Sequence, residues 1–513
     1  MLLEPVIGLE IHVQLKTKTK MFCGCSNRGE FEPPNTTVCP ICMGHPGALP
    51  AINSQALDFG VLIGLALDGK IATKSNFDRK NYFYPDLPKG YQISQKDLPV
   101  AEHGSLTFEF DDGQRGKRAV TVRINRVHLE EDAAKMLHGA DGVSSFVDFN
   151  RGGTPLAEIV SEPDLHSPAE AKAFLQELRL VMRYLGVSDA DMEKGHLRCD
   201  ANISLRRIPE HPEQENWALQ LNPKTEVKNL NSFRAVERAL EYEIKRQTGL
   251  WETGQPINIQ STRGWNEATG ETVLQRIKED SHDYRYFPEP DLPPLELSEL
   301  TAKLRSQVPE LPAARRLRLA EEYGFSEADI RVMCDDKETA DYAERVMSEL
   351  REWIASSPAA DGSRLDWDKH KPEFARLVSG WLLSKLGGIM AAHKIDIRIL
   401  KITPENFAEL LTMIHLKKVT GQNALLLLEE MALSGADPSI IAEEKNLLQL
   451  EDLSGLNLIA ENIVVGNPKA VADWKSGKTN ALQFLVGQMM KTTKGKAPPD
   501  LARKLVEDEL KKL

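Results

Sequence analysis

The chain has 513 residues, of which 41% are hydrophobic and 27% are charged, and its formal net charge is −12 at pH 7. A chain of this length is too long for one compact core and predicts about three domains. The ordinary balance of apolar and charged residues suggests neither disorder nor a membrane span. The acidic balance argues mildly against a nucleic-acid partner, so any RNA surface has to be local.

Polar side chains follow one face of three predicted strands. Residues 6–15 alternate strictly between apolar and other side chains, which indicates a half-buried strand, and residues 196–204 and 224–228 repeat the pattern. The polar faces carry Glu10, His12, His196, Arg198, Asp200 and Lys228. Three such strands could line a polar concavity.

Four of the six cysteines form two close pairs, Cys23 with Cys25 and Cys39 with Cys42, separated by thirteen residues. A closed zinc site needs four soft ligands on two short chelate loops, and this spacing supplies them. The site would be structural, because no coordination position stays open. The alternative is two buried thiol pairs or a redox-active Cys-x-x-Cys, although no thioredoxin-like pattern surrounds it.

The cysteine usage and the N-terminus predict a cytoplasmic protein. Six cysteines are few for this length, and metal ligation in a reducing cytosol fits them better than a disulfide framework. Residues 1–5 lack the basic stretch, the apolar segment and the cleavage site of an export signal.

Aromatic and basic residues are interleaved in residues 78–86 and again in residues 282–288. Such segments can stack on a base or ribose and pair with phosphates. On spacing alone, surface strands are an equal alternative. A basic loop at residues 491–496 suits phosphate, but it is also an ordinary solvated loop.

Carboxylates recur in two further segments. Glu130, Glu131 and Asp132 are consecutive, and Glu158 lies in an otherwise apolar predicted strand. An ionised carboxylate in such a strand costs several kcal/mol unless it is paired or binds a cation. With Glu10 and His12, these residues could bind a hard divalent cation. Residues 130–132 alone would be a solvated turn.

Helix signals and prolines outline the domains. A cap at Ser167, followed by Pro168, begins a helix that ends at Gly186, and a second apolar stripe from Phe233 ends before Gly249. The Pro-rich residues 288–294 indicate a linker into an almost wholly helical region, with a weaker boundary near residue 403.

No P-loop, dinucleotide fingerprint, kinase motif or nucleophile elbow occurs in the sequence.

Several long motifs closely resemble the B subunit of the tRNA-dependent Glu/Asp amidotransferase, the GatCAB enzyme. They are residues 6–15, 80–95, 197–202, 280–292 and 486–491. The resemblance covers essentially the whole chain. It implies an α+β fold: an antiparallel-sheet cradle domain with helices at 1–294, an all-α helical domain at 295–402, and a small helical tail at 403–513. We expect the last two domains to bind the body of the tRNA, because they lack a catalytic pattern and the tail holds the basic loop at residues 491–496.

The resemblance also implies a reaction and its partners. The side-chain carboxylate of Glu on tRNA(Gln), or Asp on tRNA(Asn), is phosphorylated by ATP and then amidated by ammonia. In such enzymes the ammonia comes through an internal channel from the amidase, which is the A subunit, and a small C subunit completes the assembly. The absence of an amidase motif here agrees with this division of labour.

The resemblance assigns site residues by motif position. His12, Glu130 or Glu131, and Glu158 fall on Mg²⁺-ligand positions, with Glu10 adjacent. Weaker assignments for ATP or acceptor-end contacts are Lys80, Tyr82, Arg198, Asp200 and Lys228. The full set of Cys23, Cys25, Cys39 and Cys42 supports zinc. The role of His196, the physiological tRNA and the assembly stoichiometry stay open.

Two rival functions remain. A non-catalytic RNA-binding subunit would only present the substrate, and amidation would then survive Glu158→Gln. A metal-dependent phosphoesterase, which the carboxylates alone would permit, would hydrolyse a phosphate ester without glutamine or a partner.

Overall fold

The computed structural model describes residues 2–113, 116–209, 221–278, 284–356, 366–449, 453–478, 480–493 and 496–512. Residues 280–283 of the 280–292 motif, residues 282 and 283 of the second aromatic segment, and residues 494 and 495 of the basic loop lie outside these described residues. The chain divides into two compact units, Met1–Ala313 and Ala314–Leu513.

The strands lie in the first unit. In chain order they are β1 (Leu3–Gln14), β2 (Lys70–Ile71), β3 (Lys74–Ser75), β4 (Asp78–Asn81), β5 (Tyr91–Ser94), β6 (Ala101–Asp111), β7 (Lys117–Glu131), β8 (Lys135–His138), β9 (Ser145–Asp148), β10 (Pro155–Ser161), β11 (Leu197–Arg207), β12 (Thr225–Leu230), β13 (Gln260–Asn266), β14 (Glu271–Lys278), β15 (Phe287–Pro288) and β16 (Leu295–Glu296). The three strands predicted from alternation correspond to β1, β11 and β12.

Nine of these strands form one sheet in the order β14-β13-β12-β11-β1-β10-β7-β6-β2. Neighbouring strands are antiparallel, except that β12 and β13 run parallel. Three short sheets accompany it, with the orders β15-β4-β5, β16-β3 and β8-β9. The predicted α+β class is confirmed.

Helices occur in both units. They are α1 (Ser54–Ala66), α2 (Pro168–Tyr184), α3 (Phe233–Glu252), α4 (Ser298–Arg305), α5 (Pro312–Tyr323), α6 (Glu327–Cys334), α7 (Lys337–Ser356), α8 (Trp367–Ser379), α9 (Gly387–His393), α10 (Pro404–His415), α11 (Gly421–Ser434), α12 (Pro438–Glu444), α13 (Leu453–Gly466), α14 (Pro468–Lys475), α15 (Asn480–Thr492) and α16 (Pro499–Lys511). Short 3₁₀ segments occur at Gly29–Phe31 and Ile397–Ile399, and a π-helical segment at Gly380–Leu386. None of the described helices combines the length and apolarity that crossing a membrane requires.

The alternation in β1 gives the large sheet two unlike faces. Ile7, Leu9, Ile11 and Val13 are at most 1% exposed and pack in a core to which α1, α2 and α3 contribute. Burying each such side chain stabilises the fold by roughly 1.5–3 kcal/mol. The polar side chains are therefore turned to the opposite face, which is open.

The predicted helix boundaries hold at α2 and differ at α3. At the start of α2, the Ser167 hydroxyl accepts a hydrogen bond from the Glu170 N–H at 3.1 Å, and Gly186 follows its end with a φ of +70°. Helix α3 continues past Gly249, its predicted end, to Glu252. A glycine inside a helix costs only about 1 kcal/mol, which the packing of α3 outweighs.

The Pro-rich segment 288–294, predicted as a linker, lies inside the first unit. Strands β15 and β16 pair with β4 and β3 on either side of it. Within it, the Glu289 carboxylate accepts two hydrogen bonds from Arg79, at 2.7 and 2.8 Å. A bidentate pair of this kind fixes geometry, so the segment is anchored to the sheet domain.

The second unit contains two separate apolar clusters. One extends from Leu319 to Ala442, on both sides of residue 403, and the other from Leu456 to Leu510. The division into three domains at 294 and 402 stays a prediction.

Glu243 on α3 predicts a pH-dependent contribution to stability. Its side chain is 0% exposed and pairs with Arg246 at 2.8 Å and Arg263 at 3.3 Å. Burial would raise the pKa of Glu243, but the hydrogen bonds and charge of Arg246 outweigh it and lower the pKa. We expect Glu243→Gln to reduce the free energy of unfolding by about 3 kcal/mol at pH 7, measured by chemical denaturation.

The same measurement in acid checks the sign. Because the folded pKa lies below the unfolded value, this stabilisation is complete above pH 4.5 and is lost as the pH falls through the folded pKa. The difference between wild type and variant should therefore shrink in acid. Glu237→Gln on the same helix is the control, since its pair with Lys172 is more exposed. An equal effect of both variants would contradict the assignment.

Candidate functional site

The polar face of the large sheet aligns side chains from four adjacent strands. Across β11, β1, β10 and β7, the first row is Arg198, His12, Glu158 and His128. The next row is Asp200, Glu10, Val160 and Arg126. Directly opposed side chains in antiparallel strands lie about 4.5–5.5 Å apart at Cβ. The pairing therefore brings together residues that are far apart in the chain.

Four of these side chains, together with Glu130 on β7, form what we call the Glu–His cluster: Glu10, His12, His128, Glu130 and Glu158. The His12 Nε2 atom lies 3.3 Å from Glu158 Oε2 and 3.5 Å from Glu130 Oε1. The His128 Nε2 atom lies 3.3 Å from the same Glu158 oxygen. Glu10, His12 and Glu158 form one possible group of metal ligands, and His128, Glu130 and Glu158 form a second.

Mutual charges shift the pKa values in the cluster. Burial raises the pKa of Glu10, and the Glu158 carboxylate raises it further. Burial acts in the same direction on Glu158, but the charges and hydrogen bonds of His128 and His12 hold its pKa well below the usual range. Burial would lower the pKa of both imidazoles, but the carboxylates outweigh it. They raise the pKa of His12, and they raise the pKa of His128 to about 9. A cation bound here would replace imidazole protons as the positive charge.

The consecutive residues Glu130 and Glu131 point to opposite faces of β7. Glu130 faces the cluster and accepts a hydrogen bond from the Ser94 hydroxyl at 3.1 Å. Glu131 instead pairs with Lys89 and accepts from the Ile93 N–H at 2.9 Å. The structure therefore brings Glu130 into the cluster and places Glu131 on the other side of the sheet.

The cluster lies in a cleft of about 860 Å³, whose lining includes these predicted residues: Glu10, His12, Lys80, Tyr82, Glu130, Glu158, Arg198, Asp200 and Lys228. Lys80 Nζ lies 5.1 Å from the centre of the Tyr284 ring and 5.9 Å from that of Tyr82. Burial would lower the pKa of Lys80, but the Glu130 charge outweighs it and raises it. Lys80 is therefore a lasting positive charge beside the cluster.

Arg198 on β11 and Lys228 on β12 are each held by ion pairs in the cleft. Arg198 donates to Asp132 Oδ2 at 2.8 Å. Lys228 pairs with Asp200 and lies 3.1 Å from Glu226 Oε1. These contacts orient two basic side chains beside the cluster.

Sequence reasoning missed several residues of the cleft. They include Gln92, Gln95, Lys96, Arg126, His128 and Arg276. His128 precedes Glu130 by two positions, so once β7 is known as a strand, its period of two places both on one face. His196 lies outside the lining of the cleft, and its Nε2 atom is 3.3 Å from Glu30 Oε2.

The four predicted zinc ligands converge. The sulfur atoms of Cys23, Cys25, Cys39 and Cys42 all lie within 4.8 Å of one another, although the two pairs are separated in the sequence. The hydrogen bond from Cys23, the Cys39 N–H and the charge of Lys20 lower the pKa of Cys42 to about 4. The donor set is that of a closed tetrahedral site.

Comparison with known families places residues 5–303 in a class of catalytic domains. Residues 5–303 match the family described as the GatB/GatE catalytic domain, and residues 368–510 match the family described as the GatB domain. The chain therefore belongs to the GatB family of amidotransferase subunits. The family resemblance seen in the motifs is confirmed.

Curated relatives align over nearly the full length. A protein from Rippkaea orientalis is 45% identical over 99% of this chain and 97% of its own length. One from Thermomicrobium roseum is 46% identical over 99% and 98%. A third, from Caldanaerobacter subterraneus, is 45% identical over 99% of both chains. Each is named as the B subunit of an aspartyl/glutamyl-tRNA(Asn/Gln) amidotransferase.

Proposed function

We propose that this chain is the B subunit of a glutamine-dependent amidotransferase that converts Glu on tRNA(Gln), Asp on tRNA(Asn), or both, to the amide. Family membership and the names of the relatives support this substrate class. The observation that carries the proposal is the convergence of Glu10, His12, Glu130 and Glu158 in one cleft.

The donor set of the Glu–His cluster fits Mg²⁺, which prefers carboxylate oxygens and phosphates. We assign Glu130 and Glu158 as ligands, with His12 beside them and Glu10 adjacent. Glu131 is left out because it pairs with Lys89 on the opposite face. Bound Mg²⁺ would neutralise charge on the phosphate oxygens of ATP.

The proposed chemistry makes a poor electrophile reactive. A carboxylate resists attack because oxide would have to leave. Its oxygen therefore attacks the γ-phosphorus of ATP, ADP departs, and an acyl phosphate of the aminoacyl-tRNA results. Ammonia then adds to the carbonyl carbon, and phosphate leaves as a proton is lost, which gives the amide.

The basic residues around the cluster would bind and orient the anionic substrates. The Glu130 charge raises the pKa of Lys80, so Lys80 stays positively charged. We assign Lys80 to the phosphates. Arg198 and Lys228, held by Asp132 and Asp200, are assigned to the phosphates or the acceptor end. Tyr82, which donates to Gln92 at 3.4 Å, supplies a ring for the adenine or ribose.

Partners and zinc complete the proposal. Ammonia would come from an amidase, the A subunit, and a small C subunit would complete the assembly; the naming of the relatives as B subunits supports such partners. The four cysteines would hold a structural Zn²⁺, and the chain would work in the cytoplasm.

The deciding experiment is co-purification with candidate partner subunits, followed by an assay of Glu-tRNA(Gln) and Asp-tRNA(Asn) with ATP, Mg²⁺ and glutamine. The proposal expects amide formation that requires all three additions. Phosphate-ester hydrolysis without glutamine or a partner would favour a phosphoesterase. Amidation that proceeds without this chain would also contradict the proposal.

The tail provides a separate prediction about tRNA. Residues 456–510 have their own apolar cluster, so we expect that deletion of residues 453–513 leaves the rest folded. If these last residues of the tail bind tRNA, the deletion should weaken tRNA binding by at least about 10-fold, because phosphate contacts dominate such affinity. ATP turnover with a short aminoacyl-adenosine substrate should persist.

Binding is measured by filter retention at fixed salt, with Lys491→Ala and Lys496→Ala as point variants that keep the tail. Each should reduce the salt dependence of binding if it contacts a phosphate. Full tRNA affinity after deletion would rule out tRNA binding by residues 453–513.

A further inference from the structure

Lys20 is fully buried at 0% exposure beside the four cysteines. Its Nζ atom lies 3.3 Å from the Phe149 carbonyl oxygen and 3.9 Å from Cys42 Sγ. Among the described residues, it makes no ion pair with a carboxylate. A buried ammonium is costly unless an anion compensates it, and a carbonyl dipole with one distant sulfur is a weak substitute.

Four thiolates around one divalent cation carry a net charge of −2, which is the compensation that a buried lysine needs. We propose that Lys20 is the charge partner of the four-cysteine metal centre, and that it joins this centre to the wall of the cleft. The inference rests on the zinc site of the proposed function. It does not depend on the amidotransferase chemistry.

Lys20 reaches the cleft wall through residues 149–154, which lead into β10 and therefore toward Glu158. A Cβ at Gly153 would meet the Lys20 Cδ atom at 3.4 Å, so the lysine stem packs on this backbone. The Met21 N–H donates to the Gly153 carbonyl at 2.8 Å, and the Gly153 N–H donates to the Asp132 carbonyl at 2.9 Å. Asp132 in turn pairs with Arg198 in the cleft.

A second contact fixes the same segment to the cysteine loop. The buried Asn150 side chain donates to the Pro33 carbonyl at 2.7 Å and accepts from the Thr37 N–H at 2.9 Å. The loop that carries the cysteines is thus held to residues 149–153 by Lys20 and Asn150 together. Loss of the metal or of the Lys20 charge should loosen this segment, which adjoins the cleft-lining residues Asp132 and Leu156.

The test compares Lys20→Met with Lys16→Met in the full chain. Lys16 is a matched surface lysine, half exposed and paired with Asp189. Zinc content is measured by elemental analysis, and zinc release by transfer to a colorimetric chelator. Lys20→Met should release zinc about 10- to 100-fold faster than Lys16→Met, as expected for a partner of metal ligands. Hydrogen exchange of residues 149–154 should also be faster.

A double-mutant cycle keeps the test decisive if Lys20→Met folds poorly. In the Cys39→Ser/Cys42→Ser background the lysine has lost its anions, so Lys20→Met should raise the melting temperature there and lower it in the wild-type background. The same sign in both backgrounds, or unchanged zinc release, would overturn the inference while leaving the zinc site intact. A wild-type protein purified without zinc, and binding none when it is added, would overturn both.

Discussion

Replacing Glu158 with Gln is expected to reduce the rate of amide formation about 100- to 1000-fold, comparable to the loss of one preorganised electrostatic contact in an active site. Glu158 is 5% exposed and meets both His12 and His128 at 3.3 Å. The amide keeps the shape of the side chain and removes its charge. The cluster then loses the anion on which both possible ligand groups depend.

The rate is measured as conversion of Glu-tRNA(Gln) with ATP, Mg²⁺, glutamine and the partner subunits present. The matched control is Glu162→Gln, just beyond the end of the same strand, where the carboxylate accepts from Asn125 at 2.7 Å. This control should retain nearly full activity. If amidation instead persists in Glu158→Gln with unchanged dependence on Mg²⁺, the chain only presents tRNA, and the catalytic proposal fails.

Replacing Cys39 with Ser is expected to abolish stoichiometric zinc binding and to lower the free energy of unfolding by at least about 3 kcal/mol, because metal-binding energy in a structural site is folding energy. The cysteine loop has little apolar core of its own, since residues 28–40 are mostly exposed or half-buried. The metal would therefore replace a core in holding this loop together.

Zinc per chain and thermal unfolding measure this effect. Cys334→Ala is the control, since Cys334 is buried in the second unit and its loss should leave the zinc content unchanged. Treatment with a chelator should lower the stability of wild type to that of Cys39→Ser and leave Cys39→Ser unaffected. Full zinc content with unchanged stability in Cys39→Ser would remove the zinc site from the proposal.

Local chemistry made part of the site predictable. The spacing of the cysteines could be read directly, because chelate loops are short and need no knowledge of the fold. Alternation similarly placed Glu10 and His12 on one face of β1, and Arg198 and Asp200 on one face of β11. The Ser167 cap predicted the start of α2, because a cap depends only on the following turn.

Long-range pairing decided the rest. Only the register of β1, β10 and β7 brings His12, Glu158 and His128 into one row, and a slip of one residue would turn each strand's side chains to the other face. The choice between Glu130 and Glu131 depends on the same register. The burial of Lys20 and the anchoring of residues 288–294 arise from contacts across the chain that no local pattern contains.

The sequence by itself therefore determined the class of fold, the family and the residue types of both candidate sites. These depend on periodicity, on short chelate spacing and on motifs that are contiguous in the chain. The tertiary structure alone decided which carboxylate faces the cleft, that His128 joins the cluster and that a buried lysine adjoins the cysteines. Those facts depend on strand register and packing, which are set by contacts between residues far apart in the chain.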